Sequence, residues 1–262
     1  MSQPPDVGAL LQGAHDEGLL SAAGLQALTL LDVGAQIQAG LGIAAMDVQA
    51  SEVVLVTVMP DDSGSIGMTG KNAQLVRDGH NGVLDTLLAT KQKDSILFHT
   101  RYLNGYVLNP YRPLEHVVRM DKQNYDPRLG TPLYDQTVVL LGTVLAKAQE
   151  FAENGVPVRT VTLLVTDGAD CHSTRADAAG VAALVRDLLQ AETHIVGAMG
   201  IDDGQTDFRA VFRAMGIRDE WIFTPANDPA EIRRGFQLFS QSAVRASQSA
   251  VFSQTALGGF GG

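Results

Sequence analysis

Apolar positions recur along this chain in two rhythms. Short β-branched runs alternate with longer stretches whose apolar residues stand three and four apart. The run Val53-Val-Leu-Val-Thr-Val58 has no polar side, so it predicts a buried strand over residues 53–59. Helical spacing follows at 71–90, then strands at 95–102 and, shorter, at 106–109. Residues 121–129 are polar and contain proline, which predicts a long loop. A helix over 133–154 is ended by Gly155 and Pro157. Next come a doubly apolar strand at 158–166, a helix at 176–191 and a strand at 194–199. A helix at 206–215, a short strand at 220–223 and a helix from 229 complete the pattern. Such alternation predicts an α/β fold: a doubly wound, mostly parallel, Rossmann-like sheet with helices on both faces.

The flanks differ from this core. Residues 1–50 carry Leu10, Leu11, Ala14, Leu25, Leu28 and Leu31 at helical spacing, with breaks expected near Gly18 and 32–34. They are expected to form an N-terminal helical extension that braces the main domain, here bounded as 51–242. Residues 243–262 are rich in serine and glycine and are expected to form a tail.

Charge and cysteine content narrow the function classes. A net charge of −10 argues against a nucleic-acid partner, which needs a basic face. The single cysteine, Cys171, excludes an internal disulfide framework and a zinc site of several thiolates. No apolar run reaches the roughly 20 residues of a membrane span, and the first residues lack the positive start of a signal peptide. These features are expected of a soluble, cytoplasmic protein.

The candidate chemistry sits at predicted strand ends. Asp61, Ser63 and Ser65 follow the first strand at alternate positions. Thr131 lies in a Gly-Thr-Pro-Leu turn, and Asp167 in a Thr-Asp-Gly stretch after the strand at 158–166. In the common doubly wound order those two strands are neighbours, so their ends would share one crevice. A set of hydroxyls and few carboxylates suits a small hard cation left open to an outside ligand. That is a binding device, because a two-metal enzyme needs more carboxylates and a second ion.

D-x-S-x-S after a first strand, a Thr in a G-T-P-L turn and a later T-D-G resemble the von Willebrand factor A domain, from about Glu52 to Phe239. That family carries a metal-ion-dependent adhesion site, and all five of its positions are matched: Asp61, Ser63, Ser65, Thr131 and Asp167. The resemblance implies that the serines and the Thr touch the metal directly or nearly so, that the aspartates act through water, and that a partner's Glu or Asp fills the open position. It implies magnesium, with manganese or calcium as alternatives. Together these make a non-catalytic, metal-dependent protein interaction module.

Three other readings were weighed on the residues. Residues 65–72 miss a phosphate loop, since Ser65 replaces its leading glycine and Asn72 its Ser or Thr. A nucleophile elbow fails because Ser63 replaces a required glycine. A receiver domain would use Asp61 and Asp62 but needs a late lysine, and none follows Lys147. Asp62 is expected to face solvent or cap the following turn, Cys171 and His172 to line the rim, and His194 to be a satisfied strand-end histidine.

The serine-rich ending resembles bacterial intracellular von Willebrand A proteins of the tellurite-resistance type, which are linked to a protein kinase and a phosphatase. On that resemblance Ser240, Ser242, Ser247 and Ser249 are candidate phosphoacceptors, and the protein would be a scaffold in a stress-response or phospho-signalling assembly. The alternatives are an adaptor for an AAA-type ATPase and, from another class, a metal-dependent hydrolase.

Overall fold

The computed structural model describes residues 5–30, 33–68, 70–248 and 259–261. Six strands form one sheet in the order β3-β2-β1-β4-β5-β6. They are β1 (Val53–Pro60), β2 (Ile96–Arg101), β3 (Val107–Pro113), β4 (Val158–Thr166), β5 (His194–Gly200) and β6 (Ile222–Phe223). Every pairing is parallel except that of β2 with β3. β1, β2 and β5 are buried along their whole length, and β4 along its last seven residues, as β-branched and apolar strands covered on both sides must be.

Helices cover both faces. α5 (Lys71–Leu88) packs with α9 (Pro229–Gln248) on one of them, where Gly79 lies against the Phe236 ring so closely that a side chain would not fit. α6 (Leu133–Glu153) and α7 (Ala178–Gln190) cover the other, and the short α8 (Phe208–Ala214) precedes β6. Right-handed crossovers that run outward in opposite directions from β1 and β4 require this two-sided arrangement. The strand order therefore reverses between β1 and β4, as the common topology anticipates.

The residues before β1 form α1 (Val7–Asp16), α2 (Ala22–Leu30) and α3 (Gly34–Leu41), an outer layer on α6 and α7. Gly40 of α3 abuts Thr143 of α6, and Gly142 of α6 abuts Leu28 and Ile37. Polar anchors add direction. Asp187 of α7 accepts from the backbone and hydroxyl of Ser21 at 2.9 and 2.8 Å. Lys147 of α6 donates to the Ile43 carbonyl and pairs with Glu150 at 2.8 Å.

Three boundaries differ from the sequence reading. The strand expected at 106–109 runs on to Pro113 as β3. The loop after Asp61 contains a short helix, α4 (Gly64–Met68), where the sequence pattern predicts no element. At the other end, α9 runs on to Gln248, so residues 243–248 belong to the domain and not to a tail. The reason is local: Ala243 and Ala246 are buried, and the serine hydroxyls bond back to carbonyls of their own helix. Phe260 is also buried, edge-on to Trp221 with ring centres 5.3 Å apart. Ser249 and Gly262 lie outside the described residues.

Candidate metal centre

The parallel register of β1 and β4 builds the site. Pro60 pairs with Val165, so both chains leave the sheet side by side, and the Asp61 N–H donates to the Val165 carbonyl at 2.8 Å. The Asp61 carboxylate is fully buried and accepts from the Ser63 N–H at 2.7 Å and from the Thr166 hydroxyl at 2.6 Å. These bonds curl the loop so that its two serines face one way.

Three of the five predicted side chains form a continuous chain of oxygens. Ser63 Oγ lies 2.9 Å from Ser65 Oγ, and Ser65 Oγ donates to Asp167 Oδ1 at 2.5 Å. Thr131 reaches the same spot: a Cβ placed on Gly168 would lie 3.7 Å from Thr131 Oγ1 and 3.9 Å from Ser65 Oγ. Asp61 stands behind the serines and holds their loop. The structure thus brings together all five residues, Asp61, Ser63, Ser65, Thr131 and Asp167.

The loop that carries Thr131 is clamped along the first loop. Leu129 bridges to Ser63, and the Gly64 N–H donates to the Leu129 carbonyl at 2.9 Å. The Tyr125 hydroxyl donates to the Asp61 carbonyl. On the far side, the Asp135 carboxylate accepts from the N–H groups of Thr174, Arg175 and Ala176, which ties the segment after Asp167 to the start of α6.

The sequence reading expected Asp62 to face solvent or to cap the following turn, and the structure shows neither. Asp62 is buried, and its Oδ1 accepts both the backbone N–H and the side-chain amide of Asn104, at 2.9 and 2.8 Å. The same amide donates to the Gly130 carbonyl at 2.7 Å. Asn104 therefore links the first loop to the residue before Thr131. Its partners come from distant loops and leave no local signal in the sequence.

Cys171 is exposed, and His172 packs its ring on Gly130 and accepts from the Thr131 N–H at 2.9 Å. His172 thus shapes the threonine turn directly. His194 bonds Thr160 Oγ1 through Nδ1 at 2.7 Å. Of the candidate phosphoacceptors, Ser240, Ser242 and Ser247 are buried in α9, where a kinase has no access while the helix is folded.

Burial governs the electrostatics. Asp167 is pushed up to about 6, chiefly by desolvation, with the Ser65 hydrogen bond opposing and the Asp61 charge adding. Desolvation also raises Asp61 and Asp62 above the usual carboxylate range, against the hydrogen bonds of Thr166 and Ser63 to the first and of Asn104 to the second. Carboxylates that lack solvation and a counter-charge gain from a nearby cation. The donors are all oxygens, mostly neutral hydroxyls, which fits magnesium or manganese and does not fit a soft metal. Among the described residues no group of three or more His, Cys, Asp or Glu side chains gathers to hold a metal ion, at this site or away from it, so any ion here would rest mainly on hydroxyls. Nor is any single helix among them long and apolar enough to cross a membrane.

The strand order, with helices on both faces, makes a Rossmann-like α/β fold that resembles the von Willebrand A type. No protein-family model matches the chain, and no curated protein matches it. Among solved structures it resembles the pilus adhesin SpaC from Lactobacillus rhamnosus GG in its open conformation. The TM-score is 0.53 at 14% identity, over 75% of this chain and 30% of that one. It also resembles proximal thread matrix protein 1 from the mussel byssus, with a TM-score of 0.50 at 19% identity, over 72% and 48% of the two chains. The SpRpn10 VWA domain matches at a TM-score of 0.48 and 9% identity, over 76% of this chain and 99% of that one. The chain spans less than half of the first two proteins' own length. At such identities the likeness speaks for the fold alone.

Proposed function

We propose that this protein is a non-catalytic interaction module that binds magnesium or manganese and presents it to an acidic residue of a partner protein. One observation carries the reading: Ser63, Ser65, Thr131 and Asp167 converge from three loops on one spot, with Asp61 buried behind them. Ser63, Ser65 and Thr131 would hold the ion. Asp61 and Asp167, already bonded to Thr166 and Ser65, would act through water. Three neutral hydroxyls leave most of a divalent charge uncompensated, and a carboxylate from outside compensates it best.

The test is calorimetric titration of magnesium and manganese into the protein and into Asp61→Ala and Ser63→Ala. Binding by the protein that both substitutions abolish supports the reading. Metal-dependent hydrolysis of a phosphoester, lost in Asp61→Ala, would replace it with an enzymatic one.

A further inference from the structure

A groove of about 600 Å³ opens beside the hydroxyl cluster. It starts at Gly64, between the two site serines, and passes Gly67 and Gly70 toward the first turns of α5. Its charged members are Arg77, Lys122 and Arg128 against a single carboxylate, Asp126. In a chain of net charge −10 this is a local reversal of sign.

Asp126 is already engaged, since both of its oxygens lie about 3 Å from Arg128, at 3.0 and 2.9 Å. That leaves two cations. Lys122 is exposed and makes no ion pair among the described residues. Arg77 is only 7% exposed, yet among the described residues no carboxylate meets it. Its Nη1 and Nη2 donate to the Tyr125 carbonyl and the Gln74 amide oxygen, both at 3.1 Å, and its Nε has no partner. A buried guanidinium satisfied only by neutral oxygens gains when a carboxylate reaches it. Two of the three glycines leave room along the floor: a Cβ on Gly64 would meet nothing nearer than 3.9 Å and one on Gly70 nothing within 4 Å, whereas at Gly67 the Pro127 carbonyl closes in to 2.3 Å of where a Cβ would stand. Tyr125, which supplies the carbonyl to Arg77, also donates its hydroxyl to Asp61, so groove and metal centre share a wall.

We propose that this groove receives a second carboxylate from the partner, so that the recognised surface is a protein segment with clustered Asp and Glu residues. The proposal rests on the reading that the ion takes a partner's carboxylate. One acid completes the ion's shell while its neighbour lies on the glycine floor toward Arg77, and Lys122 steers the approach.

The probe is a synthetic oligoglutamate peptide, titrated into the full chain at low ionic strength with saturating magnesium and again with a chelator. Lys122→Glu and Arg77→Gln are measured beside it, together with magnesium binding alone. Lys122 is exposed, so its substitution keeps the test valid even if Arg77→Gln unfolds. Peptide affinity is expected to fall about tenfold or more in each variant, through a lost charge-assisted bond at Arg77 and a reversed charge at Lys122, with magnesium binding unchanged in Lys122→Glu. Equal peptide binding by the variants and the parent, with Asp61→Ala defective, overturns the groove and leaves the metal reading standing. Peptide binding that ignores the chelator but is lost in Lys122→Glu keeps the groove and removes the metal reading. No peptide binding by the parent, or displacement of the peptide by equimolar inorganic phosphate, overturns the acidic-segment proposal.

Discussion

Asp62 turns away from its neighbour Asp61 and holds Asn104 by two hydrogen bonds, at 2.9 and 2.8 Å. Asn104 in turn holds the Gly130 carbonyl at 2.7 Å. Two adjacent aspartates thus do different work. Asp61 shapes the serine loop, while Asp62 fixes the β2–β3 turn and, through it, the turn that carries Thr131. Because Asp62 is buried, its carboxylate depends on those donors, and desolvation still leaves it raised above the usual range.

Asn104→Ala should therefore act at a distance. It leaves a buried carboxylate and a carbonyl short of a donor, at a cost of about 1–3 kcal/mol. Thr131 loses its positioning, and magnesium affinity is expected to fall while the fold remains. Calorimetry with a circular-dichroism melt tests this, and unchanged affinity would show that His172 and the Leu129–Ser63 bridge suffice to hold Thr131.

Asp167→Asn should separate function from stability. Desolvation dominates at Asp167, so removing the charge is expected to raise the melting temperature of the metal-free protein. A gain of about 1 kcal/mol corresponds to roughly 2–4 °C at this size. Metal binding should weaken in the same variant, the trade expected where a site is held ready for a ligand. A lower melting temperature would instead make Asp167 a structural residue.

Stability should also depend on pH through three buried histidines. Desolvation lowers His80 and His194 to about 4 and His99 to about 3. An unfolded chain takes up these protons near 6.5, so it binds more protons than the folded one between about 4 and 6.5. Stability is then complete above about 6.5 and is lost as pH falls, by up to about 1.4 kcal/mol per unit for each histidine. Asp167, raised to about 6, works the other way without metal, because its contribution is lost as pH rises. Urea unfolding in saturating magnesium should thus show a steeper acid loss than unfolding in chelator. Parallel curves would remove the aspartate contribution, and the absence of an acid loss in both would remove that of the histidines.

What the sequence could reveal follows the range of the interactions. The strand at 158–166 was legible to the residue because burial on both faces leaves a composition that nothing else produces. Asp61, Ser63, Ser65 and Asp167 could be expected near one another because they follow β1 and β4, whose ends lie side by side. Thr131 stands in the turn before α6, far from any strand end, and was suggested by the resemblance. The roles of Asp62, Asn104 and His172 were not legible, since their partners lie 26 to 42 residues away in other loops. The C-terminal helix was misjudged for a local reason. Serine is a poor helix former when solvated, but Ser240 and Ser242 are buried and return their hydroxyls to carbonyls four residues back.

The N-terminal helices can be tested as a brace through Lys147 and Glu150. Lys147 is fully buried on α6 and donates to the Ile43 carbonyl, while Glu150 accepts from the Ala45 N–H at 2.8 Å. The pair joins the outer layer to the domain just before β1. Burial lowers Lys147 below its ordinary range even though Glu150 favours the charged form. Breaking a buried pair from one side strands the other charge, at a cost of about 3–5 kcal/mol. Lys147→Met should accordingly destabilise the protein by about that amount and speed hydrogen exchange in α1 to α3 before it does so in β4. A second change, Glu150→Leu, should restore part of the loss, because replacing both ions with apolar groups removes the stranded charge. Exchange that rises equally in β4 and α1 to α3 would mean that the extension and the sheet unfold as one unit, and that the pair serves the domain as a whole.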